Sequence, residues 1–302
     1  MSILNEDVKD LMRALVSKVG SRDNQRYISQ ILSSVVHMAI APQTKTGMNA
    51  ADWKLLSRAT KEFQQSFHLF SEFRDKRKVC IFGSARTKPE DPDYQFAERT
   101  AALLTENDLQ VITGAGGGIM EAGNKGALEG ESYGMNIHLP FEQSPNPYID
   151  QDPKLLSYRY FFIRKLMFIK ESDATILFPG GYGTMDEAYE GLTLLQTGKS
   201  MPRPVILACH SGSRYWEEWV SFFTELMLPL GYISKDDLDL FTICHTEEDI
   251  KTAIQNFYKN YHSLRYVGSK TVLRLHEQLS DSALDALNEE FSDIIVDGRI
   301  EK

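Results

Sequence analysis

The amino-acid sequence predicts an α/β protein: a doubly wound parallel sheet preceded by a helical extension. Three observations predict it. Short apolar runs recur between residues 79 and 244, helical stretches separate several of them, and three of the runs end in small or glycine-rich corners. Such runs suit strands buried on both faces. Strands that alternate with helices build parallel βαβ units with right-handed crossovers.

The elements follow in order. Val8, Leu11, Met12, Leu15 and Val16 repeat with an i, i+3, i+4 rhythm until Gly20 stops it. Ser21 or Asp23 caps a second helix running to about Ala41, with Ile28, Ile31, Leu32, Val35 and Val36 on one face. Pro42 to Met48 is a polar break. Asn49 opens a third helix, on which Phe63, Phe67 and Phe70 form an expected buried seam. From Arg77-Lys78 the pattern changes to expected strands at Val79–Phe82, Val111–Thr113, Met135–Ile137, Thr175–Phe178, Val205–Ala208 and Phe241–Cys244. Helices are expected at Tyr94–Asn107, Met120–Glu129, Thr184–Thr197, Trp216–Leu228 and Glu247–Tyr261. Thr271–Leu275 reads as a further strand and Ser282–Phe291 as a helix. The expected divisions are a helical extension over 1–76, a Rossmann-like α/β domain over 77–262, and a tail over 263–302 packed on that domain.

Composition narrows the function classes. The 302 residues are 42% hydrophobic and 25% charged, an ordinary globular mix. The net charge of -9, from 33 basic against 42 acidic residues, argues against a nucleic-acid partner, which calls for a basic stripe. No apolar run approaches the ~18 residues of a membrane span. The polar start of the chain does not read as a signal peptide. Cys80, Cys209 and Cys244 are odd in number, far apart and without metal spacing, which suits a reduced cytoplasm and predicts no metal. The seven histidines are scattered.

The three corners are Gly83-Ser84-Ala85-Arg86, Gly114-Ala115-Gly116-Gly117-Gly118 and Pro179-Gly180-Gly181-Tyr182-Gly183-Thr184. In a doubly wound sheet, ligands bind beyond the carboxyl ends of the strands. Glycine lets backbone N–H groups approach an anion, and the helix that follows adds unpaired donors and a favourable dipole. One corner is a turn as readily as a site, whereas three at corresponding strand ends point to a phosphate or nucleotide pocket. Two alternatives fail. Gly198-Lys199-Ser200 resembles the end of a P-loop, but Thr193 occupies the required first glycine and a helix precedes it. A dinucleotide fingerprint from Gly114 and Gly116 meets Ile119 at its third glycine, and no acidic residue stands near Asn136. A mononucleotide is the simpler ligand.

Thr184 and Glu187 form T-x-x-E at a helix start, the spacing of a capping box, which would place Glu187 in the first turn. The competing reading is functional, because a carboxylate at the mouth of a phosphate corner is costly without a task or a cation. Arg164 and Lys165 are candidate cations, with a solvated helix face as their bland alternative.

Pro179-Gly180-Gly181-Tyr182-Gly183-Thr184-Met185-Asp186-Glu187 resembles the P-G-G-x-G-T-x-x-E signature of the LOG ("lonely guy") family of nucleoside 5′-monophosphate phosphoribohydrolases. Arg164-Lys165 matches the family's Arg-Lys pair. Gly83-Ser84, Gly116-Gly117-Gly118-Ile119-Met120 and Pro140-Phe141-Glu142 fit as well, and the likeness runs from about Lys78 to Tyr261. Asn136-Ile137-His138-Leu139-Pro140 and the helical extension are closer to the longer bacterial branch. Ala115 departs from the glycine run of many relatives.

The resemblance implies hydrolysis of an N-glycosidic bond, with AMP-like nucleotides or cytokinin ribotides as substrates and no cofactor. It implies that Glu187 stabilises the ribosyl cation and handles water, and that Arg164 orients the substrate or the carboxylate. Gly180, Gly181, Gly183 and Thr184 would hold the 5′-phosphate. Gly83, Ser84, Gly116, Gly117, Gly118, Met120, Glu142, Lys165 and Thr193 would complete the nucleotide pocket. A homodimer is expected. The old decarboxylase label for such chains is not supported, because no histidine here is followed by lysine. A non-catalytic nucleotide or cofactor carrier is the alternative on the same fold.

Overall fold

The computed structural model describes residues 6–40, 47–140 and 144–302, with the backbone alone at Ile40. It divides into two compact units, Met1–Lys61 and Glu62–Lys302. The first holds α1 (Glu6–Val16), α2 (Arg22–Ile40) and the start of α3 (Ala50–Ser71). Ser21, rather than Asp23, caps α2: its hydroxyl accepts from Asn24 N at 3.2 Å. Asn49 caps α3 through Ala51 N at 2.7 Å.

The division falls inside α3, short of the expected boundary at residue 76. The last turns of α3 belong to the sheet-bearing unit for a polar reason. Glu62 Oε1 accepts from Arg159 N at 2.9 Å, and the Ser66 and Tyr158 hydroxyls lie 2.8 Å apart. Phe70 packs on Tyr133 with ring centroids 5.1 Å apart. The buried stripe is therefore Glu62, Ser66 and Phe70, at i, i+4, i+8. Phe63 and Phe67 stack on each other instead, 5.7 Å apart, and Phe67 is exposed.

The second unit is a Rossmann-like fold. Seven parallel strands run in the order β4-β3-β2-β1-β5-β6-β7. They are β1 (Lys78–Phe82), β2 (Gln110–Thr113), β3 (Ser132–Ile137), β4 (Leu155–Tyr158), β5 (Ala174–Leu177), β6 (Val205–Ala208) and β7 (Thr242–Cys244). Between them lie α4 (Pro92–Glu106), α5 (Ile119–Gly126), α6 (Phe161–Glu171), α7 (Tyr182–Gln196) and α8 (Tyr215–Phe222), the last extended by a π-helical turn over Phe223–Met227. After β7 come α9 (Glu247–Tyr258), an antiparallel hairpin of β8 (Tyr261–Val267) and β9 (Lys270–Leu275), and α10 (Asp281–Glu290).

β1 is buried along its whole length because helices cover both faces of the sheet. Val79 and Ile81 point into the core with Phe96, Phe178 and Ile250. Phe82 points the other way and packs edge-on against Phe168 of α6, 4.8 Å between centroids. β4 and β8 were not predicted. Both are partly exposed strands of mixed composition, without the apolar run that marks the interior strands. β9 is exposed throughout, so the tail contributes little to the core. Among the described residues no helix is long and apolar enough to cross a membrane, and Cys80, Cys209 and Cys244 are free and buried.

The chain leaves β1 for β2, β3 and β4 on one side, then returns to β5 on the other. The topological switch point lies between β1 and β5, where Phe82 stands beside Leu177.

Candidate functional site

The three predicted corners converge at this switch point. Ser84 N, after β1, donates to the Pro179 carbonyl after β5 at 3.0 Å. Ile119 N, at the start of α5, donates to the Ser84 carbonyl at 3.1 Å. Close approach demands glycine at two positions. Gly118 has φ +62, and a Cβ there would lie 2.2 Å from the Ser84 oxygen. A Cβ at Gly180 would lie 2.1 Å from Thr184 Oγ1 and 3.0 Å from Ser84 N. Gly118 and Gly181 are the N-cap residues of α5 and α7, and neither helix start has a side-chain cap. Apart from Ile119 N, which the Ser84 carbonyl holds, the first-turn N–H groups of these helices are left to an external acceptor, which is what an anion site needs.

The T-x-x-E pair does not form a capping box. With Gly181 as N-cap, Thr184 is the third helical residue and is buried, while Glu187 is the sixth. Glu187 therefore lies in the second turn rather than the first, turned inward at 9% exposure. Burial pushes its carboxyl up to about 7, against the opposing pull of Lys165 and Arg164.

Arg164 reaches the same space from α6. Its guanidinium carbon lies 5.1 Å from the Phe161 ring centroid and 5.5 Å from that of Phe168. Nη1 is 3.8 Å from the point a Gly114 Cβ would occupy, and Met120 Sδ is 2.7 Å from that point. Gly114 thus lets Met120 and Arg164 close on the second corner. The Arg164 Nε is buried without a partner, and burial lowers the guanidinium pKa, offset by the Glu187 charge. Lys165 behaves differently from its neighbour. Its ammonium pairs with Asp186 at 2.8 Å and Glu190 at 2.6 Å, tying α6 to α7. Burial disfavours its charge, but those two hydrogen bonds outweigh it and raise its pKa.

Gly83, Ser84, Gly116, Gly117, Gly118, Met120, Gly180, Gly181 and Gly183 all belong to the converging corners or the helix starts beside them. Thr193 does not. It is exposed on α7, about 13 Å along the helix from Thr184 at 1.5 Å per residue. Glu142 lies outside the described residues.

Sequence reasoning missed the residues that brace the corners. Ala115 has φ +60 although fully buried. Its carbonyl accepts from Asn146 N at 2.8 Å, and its N–H donates to Thr113 Oγ1 at 3.0 Å. Asn146 Nδ2 also donates to the Gly116 carbonyl at 3.0 Å and to Asn124 Oδ1 at 2.9 Å. The Tyr215 hydroxyl donates to the Gly180 carbonyl. Nothing in the local sequence marked Asn146 or Tyr215, because the corner carbonyls they hold are 30 or more positions away. The rejected P-loop is a helix end: Gly198 has φ +65, with Lys199 N bonded to the Leu194 carbonyl and Gly198 N to the Leu195 carbonyl.

The sequence profile of the family described as "Possible lysine decarboxylase" matches residues 120–254. Cytokinin riboside 5′-monophosphate phosphoribohydrolase LOG2 of Arabidopsis thaliana is 25% identical over 124 residues, 40% of this chain and 58% of that protein. The match thus spans little more than half of that relative. LOG3 of the same plant is 25% identical over 183 residues, covering 60% of this chain and 83% of that protein. The enzyme LOG of Oryza sativa subsp. japonica is 24% identical over 190 residues, covering 61% and 75%. Among solved structures, a molybdenum cofactor binding protein from Rippkaea orientalis aligns with TM-score 0.43 and 18% identity, over 60% of this chain and 97% of that one.

Proposed function

We propose that this chain, which is similar to the LOG phosphoribohydrolases at 24–25% identity, hydrolyses the N-glycosidic bond of nucleoside 5′-monophosphates. The observation that carries the reading is the pair of Arg164 and Glu187. Both are largely buried, they are electrostatically coupled, and they flank uncapped helix starts at the switch point.

The backbone donors of the Gly180–Thr184 corner take the 5′-phosphate. The sugar then lies toward Glu187. As the C1′–N bond breaks, its electron pair leaves with the base and positive charge grows on the ribose. Ionised Glu187 stabilises that charge and accepts a proton from the attacking water, whose oxygen bonds to C1′. The base takes up a proton, and the products are free base and ribose 5-phosphate. Arg164 holds the carboxylate and a ribose or phosphate oxygen in a planar fork of donors. Lys165, held by Asp186 and Glu190, sets the spacing of α6 and α7 and is less available to the phosphate than the resemblance implied.

A panel of nucleoside monophosphates, assayed for ribose 5-phosphate and free base, tests the reading. Turnover is expected with at least one. Glu187→Gln is expected to lower kcat by about 10²–10⁴-fold, the usual share of a positioned acid–base group. Folded protein that binds a monophosphate tightly and turns over none would make it a carrier instead.

A further inference from the structure

Away from that pair, Cys209, Glu217 and His245 meet at the carboxyl ends of β6 and β7. Cys209 follows β6, His245 follows β7, and Glu217 lies in the first turn of α8. Their donor atoms all fall within 4.8 Å of one another, and among the described residues no other His, Cys, Asp or Glu group is gathered this way. Cys209 Sγ is 3.6 Å from His245 Nδ1, and Glu217 Oε1 is 3.3 Å from His245 Nε2.

Two details separate this cluster from ordinary packing. His245 Nδ1 lies 3.1 Å from the Cys209 carbonyl. A proton donated there leaves the Nε2 lone pair free, the tautomer that an outer-shell carbonyl imposes on a metal-bound histidine. Glu217 Oε2 is buried with no partner, a cost that a bound cation would remove.

We propose that Cys209, Glu217 and His245 bind a borderline-soft divalent cation of the zinc type, with a fourth position open to water. Zinc bonds of about 2.0–2.3 Å in a tetrahedron set donor atoms roughly 3.3–3.6 Å apart; Glu217 Oε1 already stands at that distance from His245 Nε2, whereas Cys209 Sγ lies against Nδ1 and must turn toward Nε2 to complete the set. The cation would tie the loop after β6 to the loop after β7. Tyr215, which holds the Gly180 carbonyl, opens the helix that follows the first of these. The proposal therefore predicts a stiffer phosphate corner, but its test does not depend on the proposed reaction.

Chelator-treated full-length protein is titrated with Co²⁺ and then with Zn²⁺. One equivalent of Co²⁺ is expected to produce a near-ultraviolet thiolate-to-cobalt band, which one equivalent of Zn²⁺ abolishes. Cys209→Ser and His245→Asn should lose the band. Glu217→Gln should weaken binding at least tenfold. His245 and Glu217 are partly exposed, so their variants keep the test decisive if Cys209→Ser does not fold. Zinc should also raise the thermal midpoint of the native protein but not that of His245→Asn. No band with the native protein, or a band that survives in His245→Asn, overturns the site.

Discussion

Glu187 is a carboxyl held in two conflicting environments. Burial favours its neutral form, while Lys165 and Arg164 favour its charge, and burial prevails. Its pKa is raised in the folded state from 4.5 to about 7. The neutral form's contribution to stability is thus complete below about pH 4.5 and is lost as pH rises through 7. Relative to Glu187→Gln, the native protein should be less stable at pH 8 by about 3 kcal/mol, from 1.36 kcal/mol per pKa unit, with little difference at pH 4. Urea unfolding of both proteins at the two pH values checks this. The catalytic counterpart is a rising limb in kcat/KM near pH 7, absent from the residual activity of Glu187→Gln; a limb due to the substrate phosphate would persist in the variant. Arg164→Lys keeps the charge but loses the planar fork. A loss of about 1.5–3 kcal/mol, roughly ten- to hundredfold in kcat/KM, is expected in steady-state assays.

At the scale of elements, the site is a set of helix starts forced close to strand ends. Gly118→Ala places a methyl 2.2 Å from the Ser84 oxygen in a backbone region that side chains rarely adopt. It should destabilise by more than about 2 kcal/mol and abolish nucleotide binding. Gly181→Ala is the control: φ is -94 and its Cβ meets nothing within 4 Å, so thermal stability should stay close to native. Asn146→Ala removes the side-chain donor to the Gly116 carbonyl and to Asn124 Oδ1 and leaves the buried Gly116 acceptor unpaired, while the backbone N–H at 146 still holds the Ala115 carbonyl. The expected cost is about 1–3 kcal/mol, with a raised KM and a smaller change in kcat, as befits a positioning residue. Calorimetry and steady-state kinetics on the three variants separate these outcomes.

For the whole molecule, the order of the strands is what assembles a site from segments some 100 residues apart. Ser84 becomes a neighbour of Gly180 because β1 and β5 pair at the reversal of the sheet. Self-association is the remaining proposal at this scale. Phe161, Phe162 and Leu166, on the helix that carries Arg164, are 49–53% exposed, which suits a face covered by a second copy. Sedimentation of native protein should report a dimer at micromolar concentration, and Phe162→Asp should shift it toward monomer.

Strands buried on both faces were legible because each carries a short, mostly apolar run, and the corners were legible because close backbone approach demands glycine. β4 and β8 were illegible because a partly exposed strand is free to be polar. The seam of α3 was misread as Phe63-Phe67-Phe70, since Glu62 and Ser66 are buried through partners at Arg159 and Tyr158 that sequence spacing does not show. The sequence by itself determined the element order of the α/β unit and the residue types at the switch point, both set by local periodicity and backbone sterics. Only the tertiary structure decided the charge balance of Glu187, the engagement of Lys165 with Asp186 and Glu190, the bracing by Asn146 and Tyr215, and the meeting of Cys209, Glu217 and His245. Each of these depends on burial or on distance through space, and neither is a property of neighbours along the chain.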